Sequence, residues 1–209
     1  MVEKGKLADY TTSAEKYVTN LKEFKIQVNK ADGKTNSPLG GVTFGLYGTE
    51  QDARNDVNRL ALGRTNTAGS YVFTGLSVES SGTKTYYLRE ISTVDNYQIN
   101  DTVYPVTVTY TDSDQVTVTA TPDPITNMPY GNFALTKTAT WDGVTVSLPG
   151  VEFKVYPVSG ENVKHNDGDA PADTIKTVLD VATNFATAVS KPLPSGWYEV
   201  VETLPDGFA

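Results

Sequence analysis

The sequence predicts an all-β chain of tandem antiparallel β-sandwiches, and three observations carry that expectation. Apolar and polar residues alternate with period two along most of the 209 residues, as in strands with one buried face. The alternating runs are rich in Val, Thr, Tyr and Phe and are separated by Gly, Pro, Asn and Asp, so strands and turns are both signalled locally. One pattern is also written twice: Asn20 and Asn127 each close a short β-branched run, and each is followed ten residues later by a Lys, Lys30 and Lys137, ending an alternating strand.

Taken in order, residues 1–20 end in Val18-Thr19-Asn20, match Ile125-Thr126-Asn127, and read as closing strands of a preceding copy. Strands follow at 24–30, 42–46, 71–73, 86–90, 106–110 and 116–119, with a short helix expected within 51–62 and a hairpin turn at Thr111-Asp112-Ser113-Asp114. From Tyr130 the order begins again, with 151–155 matching the strand at 42 and 198–202 matching 86–90. The first copy runs 37 residues from Glu90 to Asn127, whereas only seven follow Glu202. The expected organisation is therefore a tail (1–20), a complete module (21–129) and a second module (130–209) lacking its closing strands.

Composition narrows the function. A net charge of −8 and the absence of a basic run argue against nucleic acid or an anionic membrane as partner. No stretch of eighteen apolar residues occurs, and Met1-Val2-Glu3-Lys4-Gly5 does not open a signal-peptide core, so a soluble piece of a longer protein without membrane insertion is expected. There is no Cys for a disulfide and only one His, so metal and cofactor sites are not expected. The acidic loop His165-Asn166-Asp167-Gly168-Asp169 lacks the spacing of a calcium loop and reads as a solvated insertion. Asn100-Asp101-Thr102 matches a glycosylation triplet, a pattern common by chance. No phosphate-cradling loop or Ser-His-Asp set points to a turnover enzyme.

Strand parity gathers three polar residues. Lys30 shares a face with Phe24, Ile26 and Val28, Glu90 with Tyr86 and Leu88, and Asn127 with Ile125. Aimed into one core, the amine would lose its proton readily and the carboxyl would hold one. The acid would then polarise the Asn127 carbonyl, Lys30 would attack its carbon, and ammonia would leave, with Glu90 shuttling protons. The plainer alternative is a lysine stem lying on apolar surface with its ammonium in water, and an asparagine serving as a turn residue. Recurrence of the Asn-to-Lys spacing and of Tyr-x-x-x-Glu at 86–90 and 198–202 favours the chemical reading.

At this point the chain resembles the Cna B-type, prealbumin-like domains of Gram-positive surface adhesins and pilins, an Ig-like sandwich family. The resemblance lies in Lys30-Ala31-Asp32, Pro38-Leu39-Gly40-Gly41-Val42-Thr43-Phe44, Gly69-Ser70-Tyr71-Val72-Phe73, Tyr87-Leu88-Arg89-Glu90 and Ile125-Thr126-Asn127. The second copy adds Lys137, Leu148-Pro149-Gly150-Val151-Glu152-Phe153, Trp197-Tyr198 and Glu202-Thr203-Leu204-Pro205-Asp206-Gly207-Phe208. The family forms Lys–Asn isopeptide bonds assisted by an acidic residue, which implies a Lys30–Asn127 crosslink with Glu90 as its acid and Glu202 as acid beside Lys137. No Asn partner for Lys137 falls within the second copy, leaving Lys137 and Asn20 as an unpaired set or an intermolecular crosslink through head-to-tail association. The resemblance implies a structural stalk or pilus-like repeat, extracellular and attached to a Gram-positive cell wall, with neighbouring modules of the same protein as partners. A ligand-binding sandwich for host matrix protein or glycan, through the loop at 159–173, and an accessory domain of a secreted enzyme are the alternatives. Neither an LPxTG signal nor a pilin Tyr-Pro-Lys-Asn motif is present.

Overall fold

The computed structural model describes residues 22–78, 82–110 and 116–203. The tail with Asn20, the turn at 111–114 and the Pro205–Phe208 motif lie outside them. Strands are numbered in chain order. The first sandwich packs a sheet of β1 (Lys22–Asp32), β4 (Ser70–Val78), β7 (Val116–Thr119) and β8 (Ile125–Asn127) against one of β3 (Ala61–Arg64), β2 (Thr43–Tyr47), β5 (Thr83–Ser92) and β6 (Val103–Thr109). Alternation does what it should: Phe24, Ile26 and Val28 point inward from β1 and meet Phe44, Leu46, Leu88, Val106 and Ile125 in one core.

Four details differ from the sequence expectation. Helix α1 spans only Glu50–Asn55, because Thr49 caps its start and Asp56, at φ 54°, ends it with an N–H turned back onto the last carbonyls. The residues beyond it form β3, whose Ala61-Leu62-Gly63-Arg64 carries little strand signal. Lys30 does not end its strand, since β1 runs on to Asp32. The closing strands β7 and β8 pair parallel with β1, while β6 pairs antiparallel with β5, so β6 and β7 belong to different sheets.

The second sandwich packs β13 (Asp173–Lys176), β12 (Glu152–Val158) and β16 (Trp197–Thr203) against β14 (Val178–Asp180), β15 (Phe185–Val189) and β9 (Ala134–Thr136), with a hairpin of β10 (Thr138–Trp141) and β11 (Val144–Ser147) beside them. Its construction repeats that of the first. Phe44 pairs with Glu90 and Phe153 with Glu202. Thr65 and Thr177 each donate a hydroxyl to a Leu carbonyl, of Leu39 and Leu148, and accept the N–H of Val42 and Val151. Among the described residues no strand of the second sandwich stands where β6, β7 and β8 stand in the first. Its core, around Val151, Phe153, Val155, Ile175, Ala188 and Leu193, is correspondingly smaller.

Candidate functional site: a buried lysine, glutamate and asparagine

Three strands deliver the site. Lys30 lies on β1 between two backbone bonds, its N–H donating to Gly69 O at 2.7 Å and its carbonyl accepting from Leu39 N at 2.9 Å. Gly69 permits this approach, since it sits at φ 71° and a Cβ there would come within 2.3 Å of the Lys30 carbonyl oxygen. Asn127 ends β8, the parallel neighbour of β1, and Glu90 projects from β5 in the opposite sheet. All three are 1% exposed, so the cluster is sealed between the sheets.

Within it Lys30 Nζ donates to Asn127 Oδ1 at 2.6 Å and stands 3.1 Å from Glu90 Oε2. Asn127 Nδ2 donates to Glu90 Oε1 at 2.6 Å and to Thr93 Oγ1 at 2.8 Å. Glu90 Oε2 has no aligned hydrogen bond, and the amine stands close to it. Burial is the leading influence on both ionisable groups. It lowers the Lys30 pKa against the opposing pull of Glu90, and it raises the Glu90 pKa against the amide of Asn127 and the charge of Lys30. Each shift favours the uncharged form, so proton transfer from amine to carboxylate costs less here than in water.

One expected contact is corrected by this geometry. The acid does not face the Asn127 carbonyl. It bridges the amine and the amide nitrogen, because β5 approaches from the sheet opposite β8 and reaches the Nδ2 side, while Lys30 occupies the carbonyl side. Thr93 was not legible as a site residue, since simple alternation from Glu90 puts it on the other face. Tyr97 supports the same corner: its hydroxyl donates to Asp32 Oδ2 at 2.6 Å. Together with the N–H groups of Thr35 and Lys34, that bond holds the Asp32 carboxyl down to about 2.

In the second sandwich Lys137 and Glu202 also meet, Nζ to Oε2 at 2.8 Å, and Lys137 makes the same two backbone bonds as Lys30, to Ala186 O and from Leu148 N. Their side chains are 28% and 25% exposed, against none for Lys30 and Glu90, and no carboxamide among the described residues reaches them. The acidic loop is fastened to its own sandwich. His165 stacks on Tyr156 and donates its backbone N–H to Glu199, whose carboxyl is held at about 2 by that bond and by the imidazole. Asn100 donates to Tyr104 Oη and to Thr126 O, so its carboxamide is engaged internally.

The first sandwich thus has an amine, an acid and a carboxamide shut into its core. Residues 24–124 match the family model of the SpaA prealbumin-like fold domain. No curated protein matches the chain. Solved structures similar to it include the Bacillus anthracis TIE protein, at 20% identity and a TM-score of 0.43 over 88% of this chain and 29% of that one. A streptococcal ancillary pilin is 16% identical, with a TM-score of 0.42 over 88% and 60% of the two chains. The major pilin subunit of Bacillus cereus is 14% identical, with a TM-score of 0.41 over 90% and 61%. The chain therefore spans less than two thirds of the length of each.

Proposed function

We propose that the first sandwich seals itself with an isopeptide bond between Lys30 and Asn127, and that the chain is a load-bearing repeat of an extracellular stalk or pilus-like protein on a Gram-positive cell wall. The observation that carries this reading is one buried carboxyl touching both the attacking amine and the leaving nitrogen. Lys30 first gives a proton to Glu90 Oε2. The neutral Nζ attacks Asn127 Cγ, and Glu90 returns a proton to Nδ2 as its bond to Cγ breaks. Ammonia leaves, and Glu90 takes up the surplus proton of the new amide nitrogen. An amine and a carboxamide have become a secondary amide and ammonia, with no net change in protons and no outside reagent. The reaction happens once per molecule, and contact distance in a dry core supplies its acceleration.

The bond would close a loop of 97 residues. Treated like a disulfide of that span it would stabilise the module by roughly 4 to 5 kcal/mol, and no reductant could open it. In this reading residues 21–129 are one complete module and 130–209 a second whose Lys137 and Glu202 await a carboxamide from elsewhere. Neighbouring modules of the same protein are the partners. Intact mass spectrometry tests the chemistry. The purified chain should weigh one ammonia less than its sequence, with a branched peptide joining Lys30 and Asn127, and Lys30→Ala should restore the calculated mass for that variant. A wild-type mass equal to the calculated value would refute the bond.

A further inference from the structure

We propose that Thr93 is a positioning residue for this reaction, a second acceptor carried to the Asn127 carboxamide by a β-bulge; the inference rests on the crosslinking reading above. On β2 and β5, Thr43 pairs with Ser92 and Phe44 with Glu90, so Ile91 is an extra residue with no partner. A bulge of this kind reverses the alternation beyond it and re-aims the side chains that follow. Without it, Thr93 would face away from Glu90. With it, Thr93 Oγ1 accepts one N–H of Asn127 Nδ2 at 2.8 Å while Glu90 Oε1 accepts the other at 2.6 Å.

Two acceptors on one nitrogen fix the plane of the carboxamide. Its oxygen is kept toward Lys30 Nζ, and the leaving nitrogen is kept against the acid that must protonate it. If Thr93 Oγ1 is removed, one N–H of a residue only 1% exposed loses its acceptor, and the group can turn about its last bond to seek another. As Nδ2 gains a proton, the same hydroxyl oxygen still accepts from it. The second sandwich lacks the device: Glu152 pairs with Thr203 and Phe153 with Glu202 without interruption. The sequence carries the same difference, seven residues from Glu90 to Tyr97 but six from Glu202 to Phe208, with Pro205 three past the acid.

The test is the rate of ammonia loss in freshly synthesised protein, made in a cell-free system, quenched in denaturant at intervals and read by intact mass. Protease resistance of parallel aliquots taken before the quench counts the folded fraction. Thr93→Val and Thr93→Ala should slow crosslinking of folded chains by about 10-fold to 100-fold, the range expected for a misplaced reactant. Thr93→Ser, which keeps the acceptor, should restore a rate near wild type. Wild-type speed in the Val variant, or in the Ala variant should Val not fold, overturns the inference, as does a Ser variant as slow as the others. If the wild type itself loses no ammonia, it is the crosslinking reading that fails.

Discussion

Glu90 presents one oxygen to the amine and the other to the amide nitrogen, 3.1 Å and 2.6 Å away, and this sets how the reaction answers to pH. Passing a proton from Lys30 to Glu90 changes the charge of each but not the number of protons the pair holds. The crosslinking rate should therefore be flat across the pH range in which the pair shares one titrating proton. Burial lowers the Lys30 pKa and raises that of Glu90, so the plateau is narrower than two free groups would give. On the acid side Glu90 is protonated by solvent while Lys30 keeps its own proton, and the nucleophile is lost. On the alkaline side the pair gives up its proton, and Glu90 has none to hand to the leaving nitrogen. Glu90→Gln removes the internal base, so its residual rate should be far lower and should climb as pH rises and solvent deprotonates Lys30. Timed intact-mass measurements across a pH series compare the two; a wild-type rate that climbs like that of the variant would show that Glu90 moves no proton.

The strands explain what the sequence could and could not disclose. Lys30, Glu90 and Asn127 were legible because each sits on an uninterrupted stretch of alternation, so parity with Val28, Leu88 and Ile125 placed them inward. Thr93 was hidden by a single unpaired residue, since a bulge leaves no mark in a hydrophobic pattern and becomes visible only when two related loops are counted against each other. The parallel seating of β7 and β8 was hidden too, because alternation specifies a strand's face but not its neighbour or direction. Gly69 shows how an element can hold the chemistry without touching it. Gly69→Ala should cost at least about 1 kcal/mol for the positive φ and should also push Lys30 out of line, so that ammonia loss becomes slow or incomplete. Gly75 supplies the control, having the same φ of 71° but nothing within 4 Å of its would-be Cβ. Gly75→Ala should be destabilised yet fully crosslinked, and equal crosslinking in both variants would mean that backbone strain alone, not displacement of Lys30, is what the Gly69 change introduces.

For the whole molecule the decisive fact is where the proposed bond lies relative to the path of tension. β1 and β8 are parallel neighbours, so pulling the start of one and the end of the other loads them in shear. The chain leaving Asn127 is fastened on both sides: Gln98 N–H donates to Met128 O and Tyr130 N–H to Asn96 O within the first sandwich, and Gly131 and Leu193 exchange two backbone bonds at the second. Tension arriving along β1 would reach Lys30, cross to Asn127 and pass directly into this junction, leaving the residues between them unloaded. Single-molecule pulling can measure that. Lys30→Ala should release the 97-residue span in an unfolding step of about 320 to 350 Å, less the folded separation of its ends, whereas the wild type should show no such step at any force below covalent rupture. The second sandwich, whose Lys137 meets Glu202 but no carboxamide among the described residues, should unfold in both proteins and serves as the internal marker that a single molecule is on the tether. If the long step appears in the wild type as often as in Lys30→Ala, tension is not bypassing the first sandwich and the load-bearing role is wrong.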